Sequence, residues 1–247
     1  MVFDKLLDPI FNPLLNFGPL WALVIMSFII SLLIIIIYKY TTNQDLMKQL
    51  KDELKEIQKE MKDLRDQPEK AMAVQKRAMQ TNMKYMMQSM KATIFTFIPI
   101  IILFGWLNAH LAFAPILPME EFTVTANFDK EAEGIAKIII PDQVEVIGDF
   151  EKEITNRKTD WTLKGDAGKY TIGVEYNSRP YMKKLLIDAK NYETPTQKYS
   201  GELKTIKINN ESLKVLNIFG WRLGWLGTYI ILSIIFSLAL RKIMKVY

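Results

Sequence analysis

The chain of 247 residues has no cysteine and only one histidine, His110. Without cysteine it can form no disulfide, no thiolate metal site and no lipidated thiol. The sequence also has no serine–histidine–aspartate set, zinc-ligand spacing, phosphate-binding glycine loop or dinucleotide motif. A lone histidine at the end of an apolar stretch is typical of a residue that hydrogen-bonds at a helix end. We therefore expect no enzymatic activity, no catalytic residues, no cofactor and no metal site.

Charge is absent from long parts of the chain. Residues 18–38 carry no charged side chain over 21 positions, which is enough to cross about 30 Å of hydrocarbon. Residues 93–117 are equally apolar. Residues 224–240 form a third run, which lengthens to residues 220–240 if Arg222 extends to the interface. No carboxylate lies in these stretches, so a proton relay has no support. The sequence predicts three transmembrane helices.

The distribution of basic residues predicts the orientation. Residues 39–92 contain 12 Lys and Arg against 8 Asp and Glu, and residues 241–247 add three basic side chains. Because Lys and Arg accumulate in cytoplasmic loops, both segments are expected in the cytoplasm. The N-terminus and the segment between spans two and three then lie outside, in a plasma-membrane protein. This topology accounts for the net charge of +5, so we expect no DNA partner.

The cytoplasmic segment predicts an antiparallel coiled-coil hairpin. Its first arm has apolar residues at alternating spacings of three and four, at Met47, Leu50, Leu54, Ile57, Met61 and Leu64. Thr42 or Asn43 can cap this arm and Pro68 ends it. The second arm carries methionines at helical spacing, at Met72, Met79, Met83, Met86 and Met90, with Met87 beside them.

The methionines have two interpretations. An unbranched, polarizable side chain suits the capture of varied apolar substrate segments. The alternative is that the methionines only pack against the seam of the first arm. We favour capture, because side chains with many rotamers specify packing poorly.

Hydroxyl side chains form a second pattern, in the cytoplasmic halves of the spans. They are Ser27, Ser31, Thr93, Thr96, Ser233 and Ser237. They can line a polar groove that is open to the cytoplasm, or they can bond their own backbone and hold helices together. Gly220, Gly224 and Gly227 are expected to let span three pack closely near the outside.

The segment from Glu120 has short alternating runs separated by turn residues, which predicts an extracellular immunoglobulin-like β-sandwich of about seven strands. Asp166, Gly168 and Tyr170 have the spacing of a tyrosine corner. Asn210 begins an Asn-Glu-Ser sequon and is a candidate for glycosylation. Residues 1–17 combine apolar clusters with Pro9 and Pro13, which favours an amphipathic segment on the outer surface.

The order of these features resembles the YidC/Oxa/Alb membrane protein insertase superfamily. The likeness runs from "DPIFNPLLNFGPLWALVI" through "PIIILFGWL" and includes span three. It is strongest to the three-span archaeal YidC-like branch, which is related to insertase subunits of the endoplasmic reticulum. The resemblance implies insertion of nascent membrane proteins through a hydrophilic groove without ATP. Bacterial members have five core spans and a basic residue in the groove, whereas this chain has three spans and no charge in span one before Lys39.

The predicted fold class is therefore an α-helical integral membrane protein with three transmembrane helices, the hairpin and the β-sandwich. Its expected partners are membrane lipids, nascent membrane proteins, the ribosome through the basic hairpin, and a second membrane subunit. The alternative function is a membrane-anchored scaffold, whose β domain binds an extracellular partner and whose coiled coil docks cytoplasmic proteins. The predicted segments are 1–17 (amphipathic), 18–38 (span one), 39–92 (hairpin), 93–117 (span two), 118–219 (β-sandwich), 220–240 (span three) and 241–247 (basic tail).

Overall fold

The structure is a computed structural model that describes residues 4–64 and 67–246. The first three residues of the predicted amphipathic segment, residues 65–66 of the predicted hairpin and residue 247 of the predicted tail lie outside the described residues. The described helices are α1 (Asp4–Leu15), α2 (Pro19–Thr41), α3 (Gln44–Asp63), α4 (Pro68–Leu111) and α5 (Trp225–Met244). Three of them, α2, α4 and α5, are long and apolar enough to cross a membrane.

The strands lie between α4 and α5. They are β1 (Phe122–Phe128), β2 (Ile135–Ile139), β3 (Val144–Ile147), β4 (Glu151–Glu153), β5 (Lys158–Gly165), β6 (Gly168–Tyr176), β7 (Arg179–Ile187), β8 (Thr196–Lys198), β9 (Leu203–Ile208), β10 (Leu216–Ile218) and β11 (Trp221–Leu223). The chain divides into two compact units. The helical unit comprises Met1–Leu107 and Val215–Tyr247, and the β domain comprises Asn108–Lys214.

The helix ends follow from local sequence. The Asn43 side chain accepts a hydrogen bond from the Leu46 backbone N–H at 3.1 Å, so Asn43 caps α3. Pro68 is the first residue of α4, where its missing N–H costs no hydrogen bond. From there α4 runs without interruption to Leu111, so the second hairpin arm and span two are one helix.

Span two ends earlier than the predicted residue 117. Pro115 disfavours helical conformation at Ala114, and α4 stops at Leu111. The segment that follows bonds to the β domain instead: the Ala114 N–H donates to the Glu211 carbonyl at 2.8 Å. The backbone N–H of Ala114 therefore bonds to a distant part of the chain and not within a helix.

The predicted start of span three, residue 220, was also wrong. Residues 216–223 form the hairpin of β10 and β11, and α5 begins at Trp225. The predicted β-sandwich boundary at residue 219 was wrong for the same reason, because β10 pairs with β11 and not with the strands of the β domain. At the other end α5 continues to Met244, so the start of the predicted basic tail is helical.

The β domain contains nine described strands, two more than predicted. One sheet has the order β3-β5-β1-β9-β8 and the other β4-β2-β6-β7. In β1 every second residue is buried, and its inward residues join one hydrophobic core with Trp161, Leu163 and Val174. The Tyr170 hydroxyl donates to the Asp166 carbonyl at 3.2 Å, and a Cβ at Gly168 would lie 2.6 Å from that hydroxyl. The immunoglobulin-like classification stays a prediction.

Lys183 points into this domain from β7, which is at the edge of its sheet. The side chain is 3% exposed, and its Nζ donates to the Thr194 carbonyl at 2.6 Å. Burial lowers the pKa of Lys183. An inward-pointing charge discourages an edge strand from pairing with another chain.

Candidate functional site

The two arms of the hairpin, α3 and α4, lie antiparallel. Arg77 lies 3.3 Å from Glu60 and 3.9 Å from Glu53, and the Thr81 hydroxyl donates to Glu53 at 3.1 Å. Residues near the start of α4 thus meet residues in the middle and at the end of α3. Met47, Leu50 and Ile57 of the predicted seam are buried. The supercoiling of a coiled coil stays a prediction.

The face of α4 that packs in this unit consists mainly of small side chains. Its buried or half-buried residues recur at helical spacing, at Ala71, Val74, Ala78, Thr81, Tyr85, Gln88, Ser89 and Ala92. None of them is methionine. The alternative in which the methionines fill the core of the hairpin therefore does not fit the packing of α4.

The methionines lie on the opposite face of α4 and are exposed. Their exposed fractions run from 48% to 72%. At about 100° per residue, the same angular stripe continues into the membrane-spanning part of the helix. There the stripe is occupied by Ile94, Phe97 and Ile101, which are 67%, 61% and 54% exposed. From Met79 onward one apolar stripe therefore runs from the arm into the span, and Lys76 interrupts it between Met72 and Met79.

A cavity of about 590 Å³ lies where α2, α3 and α5 meet. It brings together three of the predicted groove residues, Ser31, Ser233 and Ser237. Ser27, Thr93 and Thr96 do not line it. The complete lining is Ser31, Ile34, Lys51, Tyr229, Ser233, Ile234, Ser237, Leu238 and Arg241.

The hydroxyls of the predicted groove differ in whether they have a hydrogen-bond partner. Ser27 and Ser31 are 0% and 3% exposed, and neither hydroxyl has a partner among the described residues. Ser233 donates to the Ile230 carbonyl at 2.9 Å. Thr93 and Thr96 likewise donate to carbonyls of their own helix, at 3.2 and 3.0 Å. The back-bonding alternative therefore fits both threonines and Ser233, whereas Ser27 and Ser31 do not bond their own backbone.

Two cations that sequence reasoning missed also line the cavity. Lys51 belongs to the first arm and Arg241 to the end of α5, and no carboxylate is among the described lining residues. The sequence could have indicated the position of Arg241. Tyr229, Ser233, Ser237 and Arg241 recur every fourth residue, so they share one face of α5. Lys51 gave no such signal, since its proximity arises only when α3 folds back against the spans.

Next to this cavity, residues of α2, α3, α4 and α5 pack together. Ile35, Tyr38, Met47, Ala92 and Leu240 form one buried cluster. The Tyr38 hydroxyl lies 3.2 Å from the Ser89 hydroxyl, and the Arg241 guanidinium lies 5.1 Å from the centre of the Tyr38 ring. This contact holds Arg241 next to the cavity through a cation–π interaction.

The N-terminal helix packs on the other end of the unit. Trp106 donates from its indole nitrogen to Asp8 at 2.9 Å, and its ring lies 5.4 Å from that of Phe11. Leu6 and Ile10 remain 67% and 60% exposed. The helix thus has one face bonded to α4 and another apolar face open.

Asn210, the candidate for glycosylation, uses its side-chain nitrogen within the β domain. Nδ2 donates to the Ala114 carbonyl at 3.1 Å. N-linked glycosylation modifies this nitrogen. The modification would therefore compete with the hydrogen bond that fixes the start of the domain.

Three apolar helices, a charged hairpin and a cavity between spans that is lined in part by hydroxyls and two cations define a multi-span integral membrane protein. A family described as integral membrane protein EMC3/TMCO1-like matches residues 4–144. The chain belongs to this family, which is related to the Oxa1/YidC/Alb3 insertase superfamily and is associated with membrane protein insertion. The matched range covers α1 to α4 and the first strands of the β domain. No curated protein and no solved structure matches the chain.

Proposed function

We propose that this protein is a membrane insertase that captures an apolar segment of a nascent membrane protein on α4 and passes its polar flank through the cavity between α2 and α5, without ATP. Membership of an insertion-associated family supports the class of function. The observation that carries the mechanism is the exposed methionine stripe, because it leads directly into the exposed stripe of a membrane span.

The stripe matches the chemistry of a nascent span. A substrate helix is apolar but variable in shape, and methionine accommodates varied shapes because it is unbranched and polarizable. A segment bound at Met83 or Met86 could move along the stripe to Phe97 and Ile101 while it stays in contact with apolar side chains. Its apolar surface would then not return to water during the transfer.

The cavity supplies what the polar flank of the substrate needs. Moving a charged side chain through intact hydrocarbon costs at least about 2.5–3.5 kcal/mol. Ser31, Ser233 and Ser237 offer hydroxyls, and Ser31 has no partner among the described residues. Lys51 and Arg241 make the cavity cationic, which favours acidic flanks. The basic residue of bacterial insertases would thus have its counterpart on α3 and α5.

The proposed setting is the plasma membrane of an archaeal cell. Positive-inside bias places residues 39–92 and the C-terminus in the cytoplasm, with the N-terminus and the β domain outside. The basic hairpin is then available to a ribosome, and a second membrane subunit could complete the groove. These assignments are tested by labelling single cysteines, since the natural chain has none. Lys59→Cys should react with an impermeant maleimide only in opened membranes, and Asp166→Cys in intact cells.

The capture step is tested by photocrosslinking to ribosome-bound nascent membrane proteins. A photoreactive amino acid at Met83 or Met86 is expected to crosslink the apolar segment of the nascent chain. Lys84 is the matched control, because it is exposed on the same helix but lies about 100° around the axis from Met83. Crosslinks of equal yield from Lys84 would show that the methionine face is not the capture surface.

The same experiment separates the insertase from the scaffold. A scaffold would use the β domain, which has its own hydrophobic core, to bind an extracellular partner. Crosslinks to nascent chains from the β domain alone, with none from Met83 or Met86, would favour the scaffold. Crosslinks from the methionines that shift to Ser31 and Ser237 as the nascent chain lengthens would support insertion.

A further inference from the structure

A short β-hairpin stands immediately before α5. Leu216 pairs with Leu223, Asn217 with Arg222, and Ile218 with Trp221. The turn therefore contains two residues, Phe219 and Gly220, with φ of +49° and +93°. Positive φ at both positions is the signature of a type I′ turn, in which Asn-Gly is the preferred pair.

Phe219 is an unfavourable choice for this turn. A bulky residue with positive φ is strained, and Asn would occupy the position at lower cost. Phe219 is also fully exposed, so no contact with a described residue compensates for the strain. A strained residue that persists without an internal contact points to a role outside the folded chain.

The hairpin is amphipathic. Side chains alternate between its faces, so Leu216, Ile218, Trp221 and Leu223 share one face. Asn217 and Arg222 occupy the other face, and the Asn217 side chain accepts from the Gly220 N–H at 3.1 Å. Trp221 is 78% exposed, so the apolar face and the tip both offer an aromatic ring to the surroundings.

The hairpin is fixed to the first turn of α5. Leu223 packs against Gly227, where an added Cβ would lie 3.4 Å from a Leu223 methyl carbon. The Thr228 hydroxyl donates to the Gly224 carbonyl at 2.9 Å, at the junction between hairpin and helix. Gly220 thus serves the turn and Gly227 this contact, and the close packing of helices predicted for Gly220, Gly224 and Gly227 stays a prediction.

We propose that the β10–β11 hairpin is an interfacial anchor, which inserts Phe219 and Trp221 among the phospholipids of the leaflet where α5 begins. The partner is lipid because the hairpin is held against the first turn of a membrane span, at the depth where aromatic side chains concentrate. Its strands have unpaired edges, so it rests at the interface and does not enter the hydrocarbon core. Arg222, on the opposite face, is placed to meet phosphate groups.

The depth of the hairpin can be measured in proteoliposomes of phosphatidylcholine. Single cysteines replace Phe219, Trp221 or Arg222 in the full chain and carry an environment-sensitive NBD label. Labels at 219 and 221 are expected to emit at shorter wavelength and to be quenched several-fold more strongly by lipids spin-labelled on the upper acyl chain than the label at 222. Lys59→Cys, on the exposed first arm, gives the aqueous reference.

Two results would overturn the proposal. One is a label at 219 as accessible to water-soluble quenchers as the label at 59. The other is an apolar environment at 219 that lipid quenchers do not affect, which would show that protein, a second copy or another chain, covers the hairpin. Phe219→Asn provides a further test, because it suits the turn and removes the ring. In that variant the label at 221 should lose at least half of its lipid quenching while the protein stays folded.

Discussion

In the core of the β domain large apolar side chains lie inside, whereas the methionines on the arm of α4 lie outside. Trp161, Leu163 and Val174 have no exposed surface, while Met72 and Met79 are 72% and 69% exposed. Burial of apolar side chains stabilises the β domain from within. On α4 the same chemistry is kept open, so its stabilising partners must come from lipid or from a substrate. The β domain is thus stabilised by its own hydrophobic core, whereas the methionines of α4 form a surface that can bind another apolar molecule.

The largest effect should come from opening the core of the β domain. Trp161→Ala is expected to lower the free energy of unfolding of this domain by about 3–5 kcal/mol, because a large cavity forms. Urea unfolding followed by pulse proteolysis of the purified protein measures the loss. Trp221→Ala is the matched control: its side chain is 78% exposed, so the change should stay within about 0.5 kcal/mol. Equal losses for the two would contradict the contrast.

A smaller effect is expected from the one buried cation of the described β-domain core. Lys183→Met removes the donor to the Thr194 carbonyl, at a cost of at most about 1–3 kcal/mol at neutral pH. Because burial lowers the pKa of Lys183, the unfolded chain binds more protons than the native one as pH approaches 10.5. The stability of the natural protein should therefore rise with pH in this window relative to the variant. Pulse proteolysis between pH 7 and 9.5 tests this, and a constant difference would show that Lys183 titrates normally.

Substitution of the methionines in the stripe should change the capture of substrates but hardly change the stability of the protein. Replacing Met79, Met83, Met86 and Met90 by Leu keeps apolar area nearly constant and should cost less than about 1.5 kcal/mol per site. Crosslinking to nascent chains should nevertheless fall, because branched leucine adapts less well to varied partners. An unchanged yield would mean that the stripe needs only apolar area, and substitution of the same four sites by Gln would then have to abolish capture.

The cations of the cavity should have a modest, charge-specific effect. Replacing Lys51 and Arg241 by Ala removes interactions of up to about 1 kcal/mol each, or about fivefold in binding. Insertion of substrates with acidic flanks should therefore decrease, while substrates with neutral flanks insert as before. The difference can be read from protease protection of the two flanks in reconstituted vesicles. An equal loss for both flanks would assign the two residues to structure.

The smallest effects are expected from the hydroxyls. Ser31→Ala and Ser237→Ala should each change stability by about 0.6 kcal/mol or less. Their role shows in hydration instead: cysteines at Ser31 and Ser237 should react with water-soluble maleimides, and cysteines at Val24 and Ile230 should not. If Ser31 proves as protected as Val24, the cavity is dry and the insertase proposal loses its path for polar flanks.

Hydropathy was sufficient to predict the membrane helices, because a run of 18 or more uncharged, mostly apolar residues is typical of a membrane-spanning helix. It could not decide which face of α4 packs in the unit. That face consists mainly of small residues such as Ala71, Ala78 and Ala92, which give a weak apolar signal. The stronger signal of the methionines belongs to the exposed face. The spacing of the methionines therefore predicted that they form one stripe on α4, but not that this stripe is exposed.

Other features were missed because they depend on the fold. The β10–β11 hairpin has Phe-Gly where a turn search expects Asn-Gly, so its first strand was assigned to the β-sandwich and its second strand to span three. Lys51 reaches the cavity only through the return of α3 against the spans. Alternation predicted the β domain, but the pairing order of its strands is set by long-range contacts that single runs do not encode.

The continuity of α4 has a mechanical consequence. Its 44 residues form a rod of about 66 Å, and residues 68–92, about 37 Å, project beyond span two. No break separates arm from span, so a load on the methionines exerts torque on the membrane part of the same rod. A swing of about 10° would carry the tip of the arm through about 6 Å. Pro99, which removes one backbone hydrogen bond inside the span, is the point where the rod is most easily bent. If a substrate binds the arm as proposed, this geometry couples its binding to movement of α4 within the bilayer.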